Sequence, residues 1–201
     1  SAQRVGVDHL RESRPERYAS LDVTDGGRLT EDELSYDIYS AVARAVIEEG
    51  ETAAHGGIDM LGGLRPDMLI ATGHSQSASR LSVYVNSVHG IDPVFDGFMI
   101  HGGGGRLRDD QPVRVFRVMA ETDMARRAAN PQPDSANYRH WEIAGTSHVD
   151  IPFEIEYARM LALESGRTTD GVSPREQDCR RPPYSRVPFR HAMNAAFEHL
   201  R

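Results

Sequence analysis

The chain has 201 residues, of which 39% are apolar and 26% charged, with a formal net charge of −7. A chain of this length can bury the core of about one domain, and its composition favours a folded protein over disorder. The negative charge disfavours nucleic acids and anionic membranes as partners, and no apolar run approaches the ~18 residues that would predict a membrane-spanning helix.

The first third of the sequence predicts one clear helix. Residues 1–33 are polar, with turn residues at Asp25, Gly26 and Gly27. Thr30 and Glu33 have the spacing of a capping box, which predicts that a helix starts there and ends at Gly50. Its apolar residues recur at helical intervals, namely at Tyr36, Tyr39, Val42, Ala43, Val46 and Ile47.

Residues 68–85 predict a nucleophile elbow, the tight strand–turn–helix arrangement that exposes a catalytic nucleophile. An apolar run at 68–72 breaks at Gly73, passes through Ser75, and continues as a helix to about Ser87. Gly73 is small enough to let that helix pass close to the strand. Ser77 stands where the elbow pattern prefers glycine, and it is also small.

The remainder of the chain predicts three more strands and one helix. Short apolar runs at 94–100, 113–119 and 138–143 are bounded by turn residues, as is typical of buried parallel strands. Residues 150–185 are expected to form an irregular segment on the rim of the fold. A terminal helix is expected within 187–200, with Pro188 at its start. Its apolar stripe contains Phe189, Ala192, Met193, Ala196, Phe197 and Leu200. The alternation predicts an α/β fold with a mostly parallel sheet and flanking helices.

A serine nucleophile needs a histidine base and a carboxylate that orients the base, and elbow-type hydrolases supply them in the order serine, acid, histidine. Ser75 is the candidate nucleophile, and His148 follows the last predicted strand in a glycine-containing loop. Asp123 is the preferred acid, with Glu121 as the alternative, since both follow the third strand. The remaining alternatives for the acid lie near the second strand, at Asp92 and Asp96.

Several residues beside the elbow are candidates for substrate contact or transition-state stabilisation. The backbone N–H of Gln76, the residue after the nucleophile, is the expected oxyanion donor. His74, His101 and Gly102 are candidate substrate-binding residues, although His74 could equally pack in the elbow. The glycine run at 102–105 is expected to be a flexible rim loop rather than an oxyanion loop, because the oxyanion loop of such enzymes precedes the nucleophile.

Other catalytic chemistries find little support. The only cysteine, Cys179, cannot form an internal disulfide, and no cysteine or histidine spacing predicts a zinc site. All 23 basic residues are arginine, which excludes lysine-dependent mechanisms. We therefore expect no metal and no cofactor.

Together these residues resemble a family of bacterial proteins, the alpha/beta hydrolase domain-containing proteins of the Abhydrolase_10 type. The matching stretches are Ser-Ala-Gln-Arg-Val-Gly-Val at 1–7, Tyr-Asp-Ile-Tyr-Ser at 36–40, Gly-Leu-Arg-Pro at 63–66, Ile-Ala-Thr-Gly-His-Ser-Gln-Ser-Ala at 70–78, Pro-Val-Phe-Asp-Gly-Phe at 93–98, Ala-Glu-Thr-Asp at 120–123 and Trp-Glu-Ile-Ala-Gly-Thr-Ser-His at 141–148. The resemblance implies an α/β-hydrolase fold and ester-type hydrolysis. By position it implies a triad of Ser75, Asp123 (or Glu121) and His148.

The resemblance also implies that residues 1–201 are the C-terminal portion of a single α/β-hydrolase domain that lacks its N-terminal strands. About four strands are predicted in this chain, whereas the fold usually has about eight, and a second oxyanion amide follows the third of them. We therefore expect a second polypeptide or a missing N-terminal segment to complete the fold, and an oligomer would also pair the open sheet edge.

The sequence thus predicts a serine hydrolase that acts on small-molecule carboxylic esters through an acyl-enzyme intermediate. An acyltransferase would use the same triad. A non-catalytic module that completes a partner's fold is the alternative from a different class. The acyl group, the alcohol group and the cellular compartment are not predicted.

Overall fold

A computed structural model describes residues 2–32, 34–52, 61–124, 132–164, 166, 168 and 185–201. They divide into two compact units, residues 1–67 and residues 68–201. The first unit contains three of the described helices, and the second contains the sheet together with the predicted elbow.

The helices of the first unit are α1 (Ala2–Ser13), α2 (Pro15–Tyr18) and α3 (Ser35–Thr52). The first two were not predicted. The capping-box prediction is wrong, because α3 starts at Ser35, whose N–H and hydroxyl both donate to the carbonyl oxygen of Asp32. Glu33 lies outside the described residues. The helix also continues two residues beyond Gly50, at a cost of about 1 kcal/mol for a glycine in a helix.

The predicted turn between α2 and α3 is organised around the carboxylate of Asp22. It accepts hydrogen bonds from the N–H and hydroxyl of Thr24 and from the N–H of Gly26. These bonds, with the Thr24 hydroxyl first, lower the pKa of Asp22 to about 2. Asp25, Gly26 and Gly27 all have positive φ, which confirms the predicted turn.

The second unit is built on a parallel sheet of four strands: β1 (Ile70–His74), β2 (Gly97–His101), β3 (Arg114–Ala120) and β4 (Tyr138–Ile143). Their spatial order equals their chain order, β1-β2-β3-β4. This arrangement confirms the predicted α/β class and all four strands. It brings the carboxyl ends of the strands to one edge, where β1 and β2 end as register partners at His74 and His101.

Four described helices flank this sheet in sequence: α4 (Gln76–Ser87), α5 (Glu121–Met124), α6 (Ile151–Glu164) and α7 (Phe189–Leu200). The prediction that residues 150–185 are irregular is wrong for Ile151–Glu164, which form α6. The carboxylate of Asp150 accepts the N–H of Phe153 at 2.9 Å and so caps the helix, and Pro152 fits its first turn. Most of the remaining rim segment, including Cys179, lies outside the described residues.

Helices α4 and α7 cover opposite faces of the sheet. From α7, Ala196 and Leu200 are buried against Met99 of β2 and against Phe116 and Val118 of β3. On the other face Tyr84 of α4 packs near Phe98, with the ring centroids 6.1 Å apart. Because successive side chains of a strand alternate between faces, Met99 serves one helix layer and Phe98 the other.

Helix α4 lies unusually close to β1, and Gly73 makes this possible. A Cβ atom at position 73 would lie only 2.8 Å from the carbonyl oxygen of Ser77 in the first turn of α4. Any side chain there would push the helix away from the strand. The expected role of Gly73 in close helix–strand packing is confirmed. The turn at Ser75, which joins β1 to α4, is short as a result.

The buried sheet predicts a clear contrast between two isoleucines. Ile100 lies in β2 with its side chain fully buried, whereas Ile91 is 85% exposed. We expect Ile100→Ala to lower the free energy of unfolding by about 2–5 kcal/mol, because it leaves a cavity in the core. Ile91→Ala is the matched control and should stay within about 0.5 kcal/mol of the parent. Urea unfolding of both variants measures the difference, and equal losses would contradict the described core.

Candidate active site

Ser75 occupies a strained turn between β1 and α4. Its backbone angles are φ +58° and ψ −115°, and apart from Asp25 it is the only described non-glycine residue with positive φ. Such a conformation costs about 1–3 kcal/mol and persists only where the surrounding structure imposes it. Here the Ser75 N–H donates to the carbonyl oxygen of His101 at 3.1 Å, and the Ser75 carbonyl accepts the N–H of Ser79 at 3.2 Å.

His148 lies in the loop after β4 and is hydrogen-bonded to Asp123. Its Nδ1 is 2.6 Å from Oδ1 of Asp123, and the other carboxylate oxygen accepts the N–H of Ala120 at 3.0 Å. The Asp123 side chain is 9% exposed and that of His148 is 37% exposed. A carboxylate can only accept, so Nδ1 carries the proton and Nε2 of the neutral ring is free to accept another.

Two neighbours of Asp123 fix the loop that carries His148. The hydroxyl oxygen of Thr122 accepts the His148 N–H at 2.8 Å, and the Glu121 carboxylate accepts the N–H of Gly145 at 2.7 Å. Glu121, the alternative acid, is therefore bonded to the loop backbone, whereas Asp123 bonds the imidazole. Sequence reasoning missed Thr122, although its position between the two candidate acids could have drawn attention to it.

Asp92 and Asp96 lie away from this edge of the sheet. The Asp96 carboxylate accepts the N–H of Leu69, and its own N–H donates to the Leu69 carbonyl, just before β1 begins. Asp92 follows the C-terminal end of α4, where its N–H donates to Val88. Both occupy the amino ends of the strands, so neither is placed to bond His148. The structure therefore does not bring these two alternatives for the acid to His148.

Three imidazole rings meet at the carboxyl edge of the sheet. His74 stacks on His101 with ring centroids 4.2 Å apart and an angle of 12° between planes, and it lies 4.5 Å from the ring of His148. Burial lowers the pKa of His74, and the neighbouring His148 ring lowers it further. Burial, followed by the rings of His74 and His148, lowers the pKa of His101 to about 4. Both shifts favour the uncharged form of the ring.

The glycine run after β2 packs tightly on the elbow. A Cβ atom at Gly103 would lie 2.6 Å from the Ser75 carbonyl oxygen, and one at Gly102 would lie 2.8 Å from the His74 ring. The Gly102 N–H donates to the carbonyl oxygen of Val118, and the Gly105 carbonyl accepts from Arg117. The loop is thus a packed support for the elbow, contrary to the expectation of a flexible rim, and the Gly102 amide is already occupied.

Gln76 presents an unused backbone donor beside the serine. As the first residue of α4 it has no intrahelical acceptor, and its N–H bonds to no other group in the described parts of the chain. Ser75 Oγ and His148 Nε2 are likewise not hydrogen-bonded to each other within those parts. Such bonds are often long without substrate and tighten when substrate binds.

The described residues contain neither a metal-binding cluster nor a membrane-spanning helix. No group of three or more histidine, cysteine, aspartate or glutamate side chains among them could hold a metal ion. No helix among them is long and apolar enough to cross a membrane.

Comparison with known proteins identifies the family. A family model described as "Alpha/beta hydrolase domain", Abhydrolase_10, matches residues 1–201, the whole chain. Comparison with curated proteins finds no match. The match agrees with the parallel sheet and its flanking helices, and it indicates a hydrolase-type function. This chain therefore belongs to the Abhydrolase_10 family of alpha/beta hydrolase domains.

Proposed function

We propose that this chain carries the catalytic residues of a serine hydrolase that acts on carboxylic esters through an acyl-enzyme intermediate. The observation that carries the proposal is the strained elbow: a serine with φ +58° between a parallel strand and a helix. Strained backbone of this kind is concentrated at functional sites. In a nucleophile elbow it makes the serine project from the end of the sheet. The hydrogen-bonded pair of His148 and Asp123 at the same edge supports it.

In the proposed reaction Ser75 Oγ attacks the ester carbonyl while Nε2 of His148 takes its proton. The resulting imidazolium keeps its Nδ1–H on Asp123, which stabilises the positive charge and holds the ring in place. Collapse of the tetrahedral intermediate expels the alcohol, which takes the proton from Nε2. Water then attacks the acyl-enzyme with His148 again as base, and Ser75 is released.

The negative oxygen of the tetrahedral intermediate needs donors that are already oriented. The N–H of Gln76 fits the role of oxyanion donor, because it lies next to the nucleophile and donates to no other group in the described residues. A second donor is usual in this chemistry. We propose that it comes from outside the described sheet, together with strands that pair with the open edge of β1. A second polypeptide, a preceding segment or another copy of the chain could supply them.

The identity of the nucleophile can be tested with a fluorophosphonate probe, which phosphonylates activated serines. We expect the probe to label the intact protein once, at Ser75. Ser75→Ala should abolish labelling and lower kcat for a p-nitrophenyl ester by at least about 10⁴-fold.

Ser87→Ala is the matched control, because Ser87 is exposed on the same helix, α4. It should label and turn over as the parent does. If the intact protein does not label at all, the serine-hydrolase proposal fails, and the non-catalytic alternative gains. Transfer of the acyl group to an added alcohol in preference to water would instead favour the acyltransferase.

The acid can be tested by comparing two amides. Asp123→Asn should lower kcat by about 10⁴-fold, since an amide in this position favours the wrong imidazole tautomer. Glu121→Gln should cost far less, because the amide oxygen can still accept the Gly145 N–H. Steady-state kinetics of both variants decide between the two acids. A larger loss for Glu121→Gln than for Asp123→Asn would reverse the assignment.

A further inference from the structure

The backbone and ring of His148 are held from two directions. Its N–H donates to Thr122 and its Nδ1–H to Asp123, and both of these residues follow β3. Its carbonyl oxygen is 3.1 Å from Nε2 of His74, the last residue of β1. Within the described parts of the chain, every polar group of His148 except Nε2 is therefore hydrogen-bonded, and Nε2 is the atom that must accept the serine proton.

The contact from His74 differs from the other two in its origin. The loop that carries His148 follows β4. In the strand order β1-β2-β3-β4, β4 is the outer strand farthest from β1. Adjacent strands are about 4.8 Å apart, so this loop must cross about 14 Å to reach the elbow. Among the hydrogen bonds that His148 makes with the described residues, only the one from His74 comes from β1, the strand that ends directly before Ser75.

The chemistry of this contact fixes the state of His74. A carbonyl oxygen only accepts, so Nε2 of His74 must carry a proton and donate it. Stacking on His101 holds the ring plane, and the ring of Phe153 contacts it edge-on with centroids 5.9 Å apart. Gly102 leaves space for the ring, since a Cβ there would lie 2.9 Å from Nε2. The ring is therefore fixed in one orientation.

We propose that His74 is a positioning residue that holds His148 within reach of Ser75 by donating Nε2–H to the His148 carbonyl. The inference rests on the proposed serine hydrolase and differs from the expectation that His74 contacts substrate. The His74 side chain thereby links the base, His148, to the residue that directly precedes the nucleophile.

The tautomer of His74 can be measured without any activity assay. Two-bond ¹H–¹⁵N correlation spectra of the ¹⁵N-labelled intact protein distinguish protonated from unprotonated ring nitrogens. We expect His74 to be the neutral Nε2–H tautomer at pH 7.5, with its signals assigned by their loss in His74→Phe. A neutral Nδ1–H tautomer would overturn the proposal, because Nε2 could not then donate.

Two substitutions separate the donor from the ring. His74→Phe keeps a planar ring for stacking but removes the donor, whereas His74→Gln keeps a donor and removes the ring. We expect His74→Phe to lower kcat for p-nitrophenyl acetate by up to about 100-fold with little change in KM, since the base is displaced. His74→Gln should restore most of kcat.

The possible results separate this inference from the proposed function. If the parent protein fails to react with the fluorophosphonate probe, the proposed function itself fails. If the parent reacts but His74→Phe keeps the parent's kcat, the ring is sufficient and the hydrogen bond does not matter, which overturns the positioning role. The positioning role is also overturned if His74→Gln is as slow as His74→Phe, because a donor at position 74 then fails to restore kcat. A raised KM with unchanged kcat in His74→Phe would instead assign His74 to substrate contact.

Discussion

The candidate site depends on one constraint: the four strands β1, β2, β3 and β4 all run parallel in one sheet. Because the four strands run in one direction, each ends at the same edge of the sheet. Ser75, Asp123 and His148 follow β1, β3 and β4, so groups far apart in sequence lie at the same end of the sheet. Reversing any one strand would carry its contribution to the opposite end, where Asp96 lies bonded to Leu69.

Close packing around the elbow turns this topology into a defined geometry. Gly73 and Gly103 allow backbone to approach backbone on two sides of Ser75, where a Cβ atom would come within 2.8 Å and 2.6 Å of a carbonyl oxygen. The strain at Ser75 is thereby imposed by the neighbouring helix and loop, not by the serine itself. The buried core on both faces of the sheet supplies the rigidity that holds these contacts.

Much of this arrangement follows from local sequence rules. The strands, the elbow and the terminal helix are signalled by short apolar runs, turn residues and helical periodicity, which act over a few residues. Helix α6 escaped prediction because its apolar side chains surround the helix: Phe153 and Tyr157 lie on one side, and Ile155 and Ala162 lie on the opposite side. Helices α1 and α2 were missed because the polar segment that contains them has too few apolar residues to reveal a stripe.

The contacts between distant segments could not be read from the sequence. The bond from His74 to the His148 carbonyl joins residues 74 positions apart, and the bond from His148 to Thr122 spans 26 positions. Spacing within a motif predicts that a serine, an acid and a histidine will be used. It does not predict which neighbour donates to which carbonyl, because this depends on loop paths set by tertiary packing.

The most direct test of the central claim is to locate the covalent intermediate. The intact protein would be mixed with excess p-nitrophenyl ester and quenched in acid during the first turnover, and its peptides would be mapped by mass spectrometry. The account predicts an added acyl group on the peptide that contains Ser75, at the serine itself. Steady ester turnover with the acyl group on another residue, or with no acylated peptide at all, would contradict it.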